Sequence, residues 1–207
     1  MKKLAFVLVA LFMIPLQACA QAKWVEGTHY KVISDTATKK PEVTEFFSFW
    51  CPACYRFEPL VEVIKEKLAD DVAFKKVHVN FMGMAGPTVQ DQATRAMAIG
   101  TVLKQSDAMN KAIFDYIHQQ RATITGLDDL RALFIANGVA ADKFDKLAKS
   151  FGVNSMVMKN NKQIEKYRSH LSGVPNFIVN GKYQATFTRD MTQDDIINLI
   201  VWLSTQS

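Results

Sequence analysis

Cysteine is scarce in this chain: there are three in 207 residues, and two of them, Cys51 and Cys54, stand three positions apart. A secreted fold stapled by disulfides carries more cysteines at wider spacing, so that class is excluded. Charge of one sign is also modest. The formal net charge is +5 with no Lys/Arg-rich block, and so mild a balance does not call for nucleic acid. Internal repeats and low-complexity tracts are missing. The four histidines, His29, His78, His118 and His170, form no H-x₃₋₅-H pair, which leaves a zinc knuckle at Cys51 and Cys54 two ligands short. No metal and no cofactor is expected beyond the cysteine pair itself.

The longest apolar run lies at the start. Lys2 and Lys3 precede Leu4–Leu16, and QACAQA follows. A positive end, a short apolar core and a small-residue region make a secretory signal peptide, with Ala20-Gln21-Ala22 as the cleavage pattern and a mature start at Lys23. The run is too short to span a bilayer core of roughly 30 Å. Leu16-Gln17-Ala18-Cys19 offers a lipoprotein box as the minor alternative, with Gln17 a poor fit. Loss of residues 1–22 removes two lysines and takes the net charge to +3. It also leaves Cys51 and Cys54 as the only mature cysteines, in a protein bound for an oxidising compartment. The periplasm is the expected location.

The mature chain, residues 23–207, suffices for one core with a sizeable insertion. Glu42–Trp50 is aromatic, β-branched and too apolar for an exposed edge, so a central strand is expected. Val72–Phe81 reads as a second strand. Between them, Phe57, Leu60, Val61, Ile64 and Leu68 fall at helical spacing over Pro52–Leu68. Strand, helix, strand at this length predicts a βαβ unit. From Thr88 to Lys149 the pattern is helical: Asp107–Gln119 has an apolar face, and Thr125 with Asp128 reads as a capping box opening a helix that stops at Gly138. A further helix is expected from about Asn154 to Arg168. Pro175–Val179 then forms a short strand, Asn180-Gly181 a type I′ turn, and Lys182–Gln184 the start of a partner strand. Thr192 caps a last helix. The expected division is residues 23–86 and 152–207 as an α/β domain, with 87–151 as a helical insertion.

Cys51-Pro52-Ala53-Cys54 therefore stands where a buried strand ends and a helix begins. A helix N-terminus carries about half a positive charge and unpaired N–H groups, and both stabilise a thiolate on Cys51. Pro52 is tolerated in the first turn because its missing N–H has no partner there. Cysteines three apart close a small disulfide that exchanges readily. A thiol ionises near about 8.5, and C-x-x-C sites bring this down to roughly 3.5–7. The more stable the thiolate, the stronger an oxidant the disulfide becomes. Cys51 is expected as the exposed nucleophile and leaving group, and Cys54 as the buried, resolving thiol.

Phe46–Tyr55, His78–Gly83, Gly173-Val174-Pro175 and Val179–Gln184 closely resemble the DsbA family, in order and across nearly all of residues 23–207. The resemblance implies a thioredoxin-like fold with an inserted all-helical subdomain, and a dithiol oxidase of exported proteins. It implies that Val174-Pro175 is a cis peptide against the disulfide, with the Val174 backbone, beside Pro52 and Ala53, meeting an extended substrate. It implies that Glu45 and Lys76 form a charged pair that helps move the proton of Cys54; without the family, both read as solvated strand residues. Glu58 is a weaker candidate for the same role, and Pro59 matches a helix kink. A membrane quinone-linked partner of the DsbB type is implied as reoxidant, and a monomer is expected. Ala53 departs from the pattern, since well-known members carry histidine there. The Cys51 thiol should then titrate above the family's lowest value, and the disulfide should be less oxidising by roughly 1–2 kcal/mol, about 20–40 mV. The alternatives are a reductase or isomerase on the same scaffold, against which no N-terminal dimerisation module is seen, only Lys23 to about Lys40 preceding the core strand, or a non-enzymatic binding protein or chaperone whose cysteines form a structural disulfide or metal knuckle.

Overall fold

The structure is a computed structural model that describes residues 23–206. The leader expected over residues 1–22, with Cys19, lies outside the described residues. The elements run β1 (Tyr30–Val32), β2 (Glu42–Phe47), α1 (Pro52–Lys67), β3 (Ala73–His78), α2 (Pro87–Val102), α3 (Ser106–His118), α4 (Leu127–Ala136), α5 (Ala141–Ala148), α6 (Phe151–Tyr167), a 3₁₀ turn (Arg168–His170), β4 (Asn176–Val179), β5 (Tyr183–Ala185) and α7 (Gln193–Ser204). The five strands form one sheet in the order β1-β5-β4-β2-β3.

β2 is the central strand. It is parallel to β3 and antiparallel to β4, and Val43–Phe47 are all buried because helices cover both faces. That is why the segment reads as too apolar for an exposed edge. It ends at Phe47, three residues short of the expected Trp50, and Ser48 gives the reason. Its Oγ accepts the Trp50 N–H at 3.2 Å, and its carbonyl accepts the Cys51 N–H at 3.0 Å. These bonds turn the chain and terminate the ladder. β3 is likewise shorter than Val72–Phe81. β1 was not anticipated: three residues on an edge carry too little periodicity to announce a strand.

α1 buries Cys54, Leu60, Val61 and Ile64, while Phe57 and Leu68 are half-buried. The turn after β4 has φ +52° at Asn180 and +63° at Gly181, the left-handed pair that a type I′ turn requires. Asn180 does more than turn the chain. Its Oδ1 accepts the Glu42 N–H at 2.9 Å, and its Nδ2 donates to the carbonyls of Ser204 and Gln206 at 3.1 and 2.7 Å. Thr192 and Asp195 form a reciprocal capping box at the start of α7.

The helices between β3 and β4 correct two boundaries. The N-cap of α4 is Gly126, and the partner of Thr125 is Asp129, not Asp128; its carboxylate accepts both the N–H and the hydroxyl of Thr125 at 2.7 Å. The bond reaches four residues rather than three because Thr125 lies one residue before the cap. α6 begins at Phe151, because Ser150 Oγ accepts the Val153 N–H at 3.3 Å. This helix serves two cores: Val153 packs with the helices that precede it, and Ile164 and Tyr167 pack with Phe46 and Val77 of the sheet.

His78, at the end of β3, is fully buried, with Nδ1 2.9 Å from Thr94 Oγ1 and the ring 5.4 and 4.8 Å from those of Phe47 and Phe49. No counter-charge among the described residues faces it, so burial pushes its pKa down from 6.5 to about 3. The unfolded chain then takes up a proton below pH 6.5 that the folded chain refuses. Stability should fall by about 2–3 kcal/mol between pH 6.5 and 4.5 on this account, and His78→Phe should flatten that dependence. Urea unfolding at the two pH values reads it; an unchanged slope in the variant would assign the acid sensitivity elsewhere.

Candidate active site

Cys51 is the N-cap of α1, at φ −92° and ψ 110°, and its Sγ accepts the Cys54 N–H at 3.1 Å. Sulfur thus takes the place of a capping oxygen. Pro52 opens the helix. Both cysteines are free thiols. Cys54 is fully buried, and Cys51 is only 4 % exposed, which corrects the expectation of an exposed nucleophile. The loop before β4 causes this. It brings the Val174 carbonyl to 3.4 Å from Cys51 Sγ, in hydrogen-bond contact with the thiol, and the Val174–Pro175 peptide is cis.

The two sulfurs differ electrically. The Cys51 thiol is lowered from 9.0 to about 7. Its hydrogen bond with Cys54 is the largest cause, and the N–H groups of Cys54 and Ala53 and the Arg56 charge add to it against the opposing effect of burial. Ala53 thus supplies a backbone N–H and no side-chain charge. Cys54 is pushed far up, first by burial, then by its bond to Cys51 and by the nearby Glu45 carboxylate. One thiol is set to leave as an anion, the other to hold its proton.

Glu45 and Lys76 are cross-strand neighbours in the β2–β3 register, which places them together under Cys54. Lys76 Nζ lies 2.9 Å from Glu45 Oε2 and 2.6 Å from Glu58 Oε1. The first contact is an ion pair without hydrogen-bond alignment, so both oxygens of the fully buried Glu45 carboxylate lack a hydrogen-bond partner among the described residues. Burial disfavours the Lys76 charge, but Glu45 and Glu58 outweigh it and raise its pKa. Burial raises that of Glu58, with Lys76 opposing. None of the three is a merely solvated residue. Lys76→Met should cost about 3–5 kcal/mol in urea unfolding at pH 7, because it strands a buried carboxylate; a loss below about 1 kcal/mol would mean that the Glu45–Lys76 contact contributes little to stability.

Phe47, Phe49 and Trp50 are buried around the dithiol, in a core they share with Ile99, Ile113 and Phe114 of the inserted helices. Tyr55 reaches α3, its hydroxyl 3.1 Å from Asp115 Oδ1 and 2.6 Å from Gln119 Nε2. Sequence reading assigned no role to Ser48, Tyr55 or His118. Only their closeness in sequence to the motif, for the first two, could have flagged them. Among the described residues, no cluster of three or more His, Cys, Asp or Glu is placed to hold a metal ion, and no helix is long and apolar enough to cross a membrane.

Residues 42–195 match the DSBA-like thioredoxin domain. The chain belongs to the DsbA family. It is 35% identical over 175 residues to the thiol:disulfide interchange protein DsbA of Haemophilus influenzae, covering 83% of this chain and 81% of that one. It is also 35% identical over 187 residues to the protein of that name from Escherichia coli K12, covering 89% and 86%. Among solved structures, the disulfide oxidoreductase DsbA from Proteus mirabilis superposes with a TM-score of 0.77 at 27% identity, covering 88% of this chain and 98% of that one. The fold is accordingly the DsbA thioredoxin-like fold with helices between β3 and β4, and the activity is that of a thiol:disulfide oxidoreductase.

Proposed function

We propose that the protein donates its Cys51–Cys54 disulfide to reduced exported proteins in the periplasm. The observation that carries this is Cys51 as the N-cap of α1, its sulfur on the Cys54 N–H and facing the Val174 carbonyl. A client thiolate attacks Cys51 Sγ. The S–S bond breaks, and Cys54 leaves with the electron pair and takes a proton, for which the Glu45–Lys76–Glu58 cluster is the nearby source. The client's second thiolate then attacks the client sulfur of the mixed disulfide and expels Cys51 as a thiolate. The client is oxidised by two electrons and the dithiol is reduced. Val174, Pro175, Pro52 and Ala53 form the surface that meets the client backbone. A cysteine-to-serine variant of Proteus mirabilis DsbA holding the non-covalently bound peptide PWATCDS supports such a surface. A membrane quinone-linked protein of the DsbB type restores the disulfide, and the protein acts as a monomer with no bound cofactor.

One observation favours a second reading. A Cys51 thiol near 7 with Ala53 beside it is also compatible with a reductase. Equilibration of the purified protein with glutathione separates the two: a potential near about −120 mV marks a strong oxidase, and one near about −270 mV overturns the oxidase assignment.

A further inference from the structure

His118, the last residue of α3, reaches the dithiol loop from outside the sheet and its flanking helices. Its Nε2 lies 2.8 Å from the Phe49 carbonyl oxygen, and its ring stacks on Tyr55 at 5.0 Å and 13°. Phe49 stands two residues before Cys51, and Tyr55 one residue after Cys54. Because a carbonyl can only accept, Nε2 must carry the proton in this contact.

The Phe49 carbonyl and the Trp50 N–H belong to one planar peptide unit. That unit is held at both ends, His118 donating to its oxygen and Ser48 Oγ accepting from its nitrogen. The following N–H, of Cys51, donates to the Ser48 carbonyl. The torsions that put Cys51 Sγ on the Cys54 N–H therefore start from a plane whose orientation His118 sets. On the far side of the motif, Asp115 and Gln119 hold the Tyr55 hydroxyl, and Lys111 pairs with Asp115. The last turns of α3 thus grip both flanks of Cys51–Cys54.

We propose that His118 is a positioning residue for thiol–disulfide exchange, fixing the Phe49–Trp50 peptide so that Cys51 Sγ stays in place as the cap of α1. This rests on the reading of Cys51–Cys54 as the exchanging pair. The capped sulfur is the thiolate-stabilising geometry, so loosening it disfavours the reduced form and makes the disulfide a weaker oxidant.

The test compares His118→Phe, which keeps a flat ring against Tyr55 and removes the donor, with His118→Gln, which restores an N–H. His118→Asn, too short to reach the Phe49 carbonyl, repeats the donor loss in case the phenylalanine variant does not fold. The readouts are the equilibrium constant with glutathione and the thiolate absorbance of Cys51. The phenylalanine and asparagine variants should shift the constant at least about threefold toward a less oxidising disulfide and raise the thiolate midpoint by about half a unit, while the glutamine variant stays within twofold of wild type. Phenylalanine and asparagine variants that melt earlier yet keep the wild-type constant would reduce His118 to a stability element and overturn the proposal. Wild-type protein that fails to exchange with glutathione at all would instead sink the oxidoreductase reading on which it rests.

Discussion

Replacing Cys54 with serine will turn the protein into a covalent trap and drop its oxidase turnover to the uncatalysed background. Cys51 alone cannot close a disulfide, so the variant has nothing to donate. It keeps a sulfur at the cap of α1, however, and that sulfur still attacks disulfides such as oxidised glutathione. In the native protein Cys54, one helical turn away, attacks the mixed disulfide and frees the partner; serine cannot. Mass spectrometry of protein isolated after acid quenching should show the variant as an adduct and the wild type as free dithiol or closed disulfide. Cys51→Ser should show neither adduct nor turnover, since fully buried Cys54, with its pKa pushed up, offers no thiolate. A Cys51→Ser protein that keeps full activity would return the pair to a structural role.

The second large effect is a titration. Thiolate absorbance of the reduced protein should rise with a midpoint near pH 7, about two units below an unperturbed thiol at 9.0. A midpoint near 3.5 would mean that the protein compensates for Ala53 by means not visible around Cys51. Two units correspond to about 2.7 kcal/mol, or roughly 60 mV toward the oxidant side of an unperturbed dithiol. The sign for stability follows from where the proton is lost. Between pH 7 and 9 the folded dithiol has released the Cys51 proton and the unfolded chain has not. Reduced protein therefore gains stability over oxidised protein as pH rises through that window and loses the gain as pH falls through 7. The gain should reach about 2 kcal/mol at pH 9, measured by parallel urea unfolding of the two redox forms.

Much of this site was legible because its signals are local. A buried strand, Cys-Pro-Ala-Cys and an apolar helical face lie within Glu42 to Lys67, and the strand–helix junction follows from their order. The turn at Asn180-Gly181 declares itself by residue type, as does the Thr192 cap. Non-local facts were legible only through family resemblance, or not at all. Glu45 and Lys76 look like exposed strand residues until the β2–β3 register sets them side by side. The burial of Cys51 depends on a loop more than a hundred residues away. His118 carries no sequence mark of its contact with Phe49, sixty-nine positions earlier. Strand β1 and the Asp129 bond were missed for a different reason: three residues and a one-position offset fall below what periodicity can distinguish.

Asn180 sets a rule for engineering the segment that follows α7. Glycine would satisfy the turn's torsions, yet the same side chain is stitched to Glu42 at the head of the central strand and to Ser204 and Gln206 beyond α7. The segment Ser204–Gln206 is thus anchored through one amide to the strand that leads into the dithiol. Load applied to Gln206 is carried into the sheet, so a fusion joined next to it calls for a flexible spacer.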